Sequence, residues 1–345
     1  MLIFVVGSFQ WEMYAPAFAD SFEKMGYNVL RMDYNEYHLK RNVFFANLLN
    51  RFQDRYLFGP MTIRFNKELV KLVREYKPDF VFLYRCYHIF SSTIREIKKE
   101  TIVFTYNNDD PFSGIPSKYY SHLHRSNAKY ADLNFVYRKK NIDDYAGVGV
   151  NNTKLLLPYY LTNQNFYIPS NKDIPLAFLG HYENDGRDKF ILALKKAGLP
   201  IVVFGDEAWK SAPLYSSIKD VVFPAKRGKE YNEIMNRTQI LLVFFSRINK
   251  DTYTRRCFEI PATKGFMLSE RTDDMLLLFP EGKCAEFFSS EEELVSKCNY
   301  YLAHPEEINT IAESCYERII EIGGSEHDRC VEIIEAYKKI NNKKQ

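Results

Sequence analysis

The sequence predicts an α/β protein of two doubly wound domains, each a mostly parallel sheet with helices on both faces. Three observations predict it. The chain has 345 residues, too many for one ordinary core and enough for two. Short apolar runs alternate with amphipathic stretches at the rhythm of βαβ units. The alternation breaks once, in a proline- and asparagine-rich stretch, and then restarts.

In the first half, Leu2–Val6 reads as a buried strand closed by Gly7-Ser8, and Glu12–Met25 as a helix ended by Gly26. Asn28–Met32, Asp79–Tyr84, Ile102–Tyr106, Leu133–Val136 and Lys154–Leu157 complete six strands. Lys77-Pro78 stops a helix just before the third of them. Asn42–Phe58 has the pattern of an amphipathic helix packed on the sheet. It is aromatic, flanked by Lys40, Arg41, Arg51 and Arg55, so a second reading rests it on an anionic membrane or a lipid-linked acceptor.

Pro158, Pro169 and Pro175, with Asn163, Asn165, Ser170 and Asn171, mark the linker. The pattern resumes with strands at Pro175–Leu179, Ile201–Phe204, Ile240–Phe244 and Gly265–Leu268. Helices are expected at Asp185–Ala197, Arg255–Ala262, Glu291–Ala303, Glu306–Glu321 and Glu326–Ile340. The expected domains are 1–160 and 174–322, with a closing helix in 323–345 and a frayed lysine-rich end from Lys338 to Gln345. Two Rossmann-like domains on one linker leave a cleft between them, and such sheets bind ligands at the carboxyl ends of their strands.

Composition excludes several classes. Apolar residues make up 46% and charged residues 26%, and the net charge of +3 gives no general field for nucleic acid. The aromatic share of 16% reads as compositional bias. Six cysteines, at 86, 257, 284, 298, 315 and 330, include no C-x-x-C pair and read as reduced, buried thiols. The chain opens on Leu2-Ile3-Phe4-Val5-Val6 without a basic leader. No apolar run reaches the roughly 20 residues of a membrane helix, so a cytoplasmic protein is expected.

The most informative segment is Asp251–Glu270, DTYTRRCFEIPATKGFMLSE. It sets Glu259 in a short helix behind Arg255 and Arg256, with Pro261 and Gly265 shaping the turn into a strand. Such a carboxylate can accept two ribose hydroxyls and such arginines can fork onto phosphate, although a surface Arg–Glu pair has the same pattern. Gly180, after Phe178-Leu179, lets backbone approach a diphosphate, and Arg187 can add charge, where the bland alternative is a tight turn with a solvent-facing Arg. Lys226-Arg227, after Phe223-Pro224, is a second donor-loop candidate or a solvated pair of charges. There is no G-x-G-x-x-G fingerprint, so the nicotinamide and flavin readings lose their main support. Asn107-Asn108-Asp109-Asp110-Pro111 ends a strand with two carboxylates, as an Asx-turn or a metal loop would. His88, following another strand end, is a candidate acceptor contact or base.

Arg256-x-Phe258-Glu259-Ile260-Pro261-Ala262, Gly265 and Glu270 together resemble the signature of the "glycosyl transferases group 1" superfamily, closest to the branch of the spore-maturation protein CgeB. The resemblance continues through Pro280-Glu281-Gly282, Tyr301-Leu302-Ala303-His304-Pro305 and His327-Asp328-Arg329-Cys330. Phe178–Tyr182 with Arg187 is similar to the family's first donor-domain strand and loop, and the Asp-Pro loop at Asp110 to one in CgeB-like proteins. The resemblance implies the GT-B fold. It implies a hexosyl or related transferase that takes a nucleoside-diphosphate sugar in its C-terminal domain. Glu259 would hold the ribose, and Asp251, eight residues earlier and Asp where the family has Glu, would lie near the transferred sugar. The family generally works without a metal, favours retention, and ends on a helix that crosses back to the N-terminal, acceptor-side domain.

The expectation is therefore glycosyl transfer to a glycan, lipid-linked or other hydroxyl acceptor in surface polysaccharide or glycoconjugate synthesis. Asp251, Asp110 and His88 are the catalytic candidates, and Glu259, Arg256, Arg255, Gly180, Arg187 and Lys226 the donor-binding ones. No cofactor or metal and no nucleic acid partner is expected. The alternatives are a GT-B sugar-nucleotide epimerase or hydrolase, and a nucleotide-sugar-binding paralogue without turnover.

Overall fold

A computed structural model describes residues 1–38, 44–85, 87–113 and 118–344. Cys86, Lys40, Arg41 and Asn42 lie outside the described residues. Each apolar run becomes a strand and each amphipathic stretch returns across a sheet face. The strands are β1 (Leu2–Gly7), β2 (Asn28–Asp33), β3 (Phe80–Tyr84), β4 (Ile102–Asn107), β5 (Leu133–Val136) and β6 (Thr153–Leu155). The second set is β7 (Ile174–Leu179), β8 (Ile201–Gly205), β9 (Val222–Pro224), β10 (Thr238–Val243), β11 (Phe266–Glu270) and β12 (Glu286–Phe288). They form two six-stranded sheets, β2-β1-β3-β4-β5-β6 and β12-β11-β10-β7-β8-β9, every pair parallel. Strands buried on both faces explain the continuous apolar runs.

The chain divides into a unit of residues 1–157 with the helix Glu326–Lys344, and a unit of residues 158–325. In the first, Phe4, Val6, Val81, Leu83 and Val103 pack under Leu69, Val73, Ile94 and Ile97. In the second, Phe178, Val203, Leu242 and Leu268 pack with Ile191, Leu194, Leu294 and Cys298. The helix Glu326–Lys344 lies on the helix Ala15–Lys24: Cys330 Sγ meets the Phe18 carbonyl at 3.7 Å, and Tyr337 donates to Asp79 Oδ1 at 3.0 Å.

Four details depart from the sequence reading. The strands β9 and β12 were not expected; each has three residues, too short to show a period. The tail does not fray at Lys338, because the helix runs on to Lys344. The proline-rich stretch is tied to the helix Gly228–Arg237, with Asn232 and Asn236 accepting from the amides of Phe166 and Ile168. The helix Phe44–Tyr56 turns its aromatic side to solvent instead of packing it on the sheet.

Each sheet has one topological switch point, where successive connections leave in opposite directions: between β1 and β3 in the first and between β7 and β10 in the second. The loops after those strands diverge and leave room for a ligand.

Candidate functional site

The second unit's switch point gathers most of the predicted donor residues. Gly180 follows β7. A Cβ there would lie 2.9 Å from Arg256 Nη1 and 2.7 Å from Phe178 Cζ, so the glycine makes space for the Arg256 guanidinium. Its backbone is not turned outward, as the sequence suggested. The amide donates to the Phe204 carbonyl at 3.0 Å, and the carbonyl accepts from Trp209 Nε1 at 2.9 Å. Arg256 opens the short helix Arg256–Ala262 and lies over the Phe178 ring, 5.2 Å from its centroid. Its Nε is buried without a hydrogen-bond partner among the described residues. A buried guanidinium N–H without an acceptor is costly, and an anion is a group that could relieve that cost.

Arg255, one residue earlier, behaves differently. Its Nε and Nη2 both donate to Glu259 Oε1, at 2.8 and 2.5 Å, one helical turn away. Tyr231 donates to Glu259 Oε2 at 2.8 Å, and Arg255 lies over the Tyr159 ring. Burial first and the Glu259 charge second push the Tyr231 hydroxyl well above its ordinary range, so it stays a donor. Burial opposes the charge on Arg255, but Glu259 outweighs it and raises its pKa. Oε1 accepts both Arg255 donors, so Oε2 is the Glu259 oxygen that keeps a further lone pair for a sugar hydroxyl. Gly265, with Leu241 Cδ1 2.8 Å from its would-be Cβ, lets the chain pass tightly from this helix into β11.

Asp251 sits in the loop between β10 and that helix, its amide bonded to the Ser246 carbonyl at 2.9 Å. Glu270, at the end of β11, holds the loop: its oxygens accept from the Phe245 amide at 2.5 Å and from Arg247 at 2.6 Å. Burial raises the Glu270 pKa, against that amide and Arg247. Arg187 is fully enclosed. It pairs with Asp185, donates to the His181 carbonyl at 2.6 Å, and lies over the same aromatic ring, 5.7 Å from the Phe178 centroid. So Arg187 braces the loop after β7, and Arg256 is the cation beside Gly180. Burial raises Glu183, but His181, Ser246 and Arg187 outweigh it and bring its pKa down to about 2. Lys226 follows β9 in a surface pair with Glu230.

In the first unit, Asp110 is buried. It accepts from the Phe112 amide, Asn141 and Lys140 at 2.9 to 3.0 Å, the geometry of an Asx-turn and a loop anchor. The more exposed carboxylate is Asp109, which accepts from Arg85 at 2.6 Å and from Tyr87 at 3.2 Å. Arg85 takes φ +45°, a strained backbone of the kind found at functional sites. His124 stands near this pair, with burial bringing its pKa down to about 4. His88 lies apart, 3.4 Å from Asp54 and beside the Tyr34 ring. Among the described residues no three or more His, Cys, Asp or Glu side chains are placed to hold a metal ion.

Of the two quoted carboxylates, sequence reasoning took Asp110 rather than Asp109 as the catalytic candidate, and it missed Tyr231, Trp209 and the anchoring role of Glu270. Only Glu270 carried a signal, as part of the quoted motif. The others reach the site from elements distant in the chain.

Residues 187–329 match the family model described as glycosyl transferase-like. No curated protein matches the chain. Among solved structures, HepE of Anabaena, in complex with UDP and glucose, has a TM-score of 0.70 at 11% identity, covering 98% of this chain and 100% of that one. Sucrose-phosphate synthase of Thermosynechococcus elongatus has a TM-score of 0.67 at 10% identity, covering 99% of each chain. A Listeria monocytogenes protein named as a UDP-N-acetylglucosamine 2-epimerase has 0.60 at 9% identity, covering 99% and 97%. At such identities the likeness establishes the fold, which is GT-B. The glycosyl transferase-like segment contains Arg187, Lys226, Asp251, Arg255, Arg256 and Glu259, and together with the fold it supports the glycosyltransferase superfamily.

Proposed function

We propose that this chain is a metal-independent glycosyltransferase of the CgeB-like branch, moving a hexosyl or related group from a nucleoside-diphosphate sugar to a hydroxyl of a glycan or lipid-linked acceptor. The observation that carries the reading is Arg256, whose guanidinium fills the space left by Gly180 with a buried Nε awaiting an acceptor. In this reading Arg256 takes diphosphate oxygens, Glu259 takes the ribose hydroxyls, and Asp251 lies near the transferred sugar. The anomeric C–O bond breaks as the acceptor hydroxyl bonds to the same carbon. The electron pair goes to the diphosphate, where Arg256 stabilises it, and the acceptor's proton leaves with it. In this reading the first unit receives the acceptor near Asp109, which Arg85 and Tyr87 hold, and Asp110 anchors the loop beside it.

The test is release of nucleoside diphosphate from a panel of nucleotide sugars with and without candidate acceptors. Release that depends on acceptor supports transfer. Interconversion of the sugar without acceptor moves the protein to the epimerase reading, and tight binding without turnover to a sensor or carrier.

A further inference from the structure

The helix Phe44–Tyr56 is amphipathic in the wrong sense for a helix that serves only the core. Its buried side carries the polar residues Asn50 and Gln53, while Phe45, Leu48 and Phe52 are 75%, 58% and 51% exposed. Tyr56 and Phe58 continue the exposed series. Positions 45, 48, 52 and 56 recur by three and four, so they form one stripe along the helix.

The orientation is held in place. Gln53 Oε1 accepts from the Met61 amide at 2.8 Å, and Gln53 fits against Gly59, where a Cβ would clash with it. Rolling the aromatics inward would break those contacts and expose Gln53. Arg51 and Arg55, both exposed, border the stripe, with the Arg55 guanidinium 5.8 Å from the Tyr56 ring centroid. The helix's acid, Asp54, falls on the opposite side by helical spacing, where it pairs with His38 at 2.7 Å. The stripe's border is therefore cationic.

We propose that this helix docks the protein on an anionic lipid surface, with Leu48, Phe52 and their aromatic neighbours entering the headgroup boundary and Arg51 and Arg55 meeting lipid phosphates. Charge selects this occupant over a second copy of the chain. Two such stripes face to face would bring like charges together, whereas phosphates complement them. The proposal does not rest on the glycosyl-transfer reading.

The experiment is sedimentation of the full chain with vesicles of phosphatidylcholine alone or mixed with phosphatidylglycerol. The protein should pellet with the mixed vesicles and be released by raised salt. Replacing Leu48 and Phe52 together by serine should lower partitioning about tenfold or more, with the melting temperature unchanged because both are exposed. Arg51→Gln with Arg55→Gln should abolish the preference for phosphatidylglycerol while leaving the fold intact. Three results overturn it: no binding of the native chain to anionic vesicles, equal binding by a folded Leu48→Ser/Phe52→Ser variant, or a native dimer that those substitutions dissociate.

Discussion

Arg256 and Gly180 occupy one space: a side chain on residue 180 would stand 2.9 Å from Arg256 Nη1. The close approach couples a loop after β7 to a helix after β10, and makes the glycine a test of the arginine. Gly180→Ala should displace the guanidinium and weaken nucleoside diphosphate binding nearly as much as Arg256→Ala. Loss of charged hydrogen bonds corresponds to about 1.5–3 kcal/mol. Calorimetry on both variants decides it, and native affinity in Arg256→Ala would remove this site from donor binding.

Glu259 has two partners in the protein, so its substitutions separate binding from folding. Glu259→Gln keeps the shape and should lower nucleoside diphosphate affinity by about 2 kcal/mol or more. Glu259→Ala also strands Arg255, four-fifths buried, and should cost about 3 kcal/mol or more of stability. If Glu259→Gln binds like the native chain, the ribose assignment fails.

Activity should survive EDTA and gain nothing from manganese, because arginine rather than a metal neutralises the leaving group. Loss with chelator and recovery with manganese would shift attention to Asp109 and Asp110.

Acid should weaken the first unit through His124. Burial, with the charge of Arg125, lowers its pKa from 6.5 to about 4, against Asp109. A depressed folded value means the folded state binds fewer protons, so the contribution is complete above pH 6.5 and is lost as pH falls toward 4. It amounts to about 3 kcal/mol at most. Urea unfolding at pH 7, 5.5 and 4 should show this slope in the native chain, and a flatter one in His124→Gln.

Deleting residues from Glu326 onward should unfold the first unit, since it strips Cys330 from Phe18 and Tyr337 from Asp79 and Phe80. Limited proteolysis should then cut within residues 1–157 first. A truncated chain with the native melting temperature would show that the helix contributes little.

The sequence by itself determined the α/β class, ten of the twelve strands, and the short helix that carries Arg255, Arg256 and Glu259, because period and punctuation are local properties of a chain. It also placed Gly180 at a strand end. Only the tertiary structure decided that the Gly180 amide turns back to Phe204, that Arg187 is bound up with Asp185 while Arg256 keeps a buried donor, and that Asp110 anchors a loop beside the more exposed Asp109. It also decided that the helix Phe44–Tyr56 faces outward, since an amphipathic pattern states that a helix has two sides and not which one meets the core. These outcomes depend on partners dozens of residues away, and spacing along a chain carries no record of which distant side chain satisfies a given hydrogen bond.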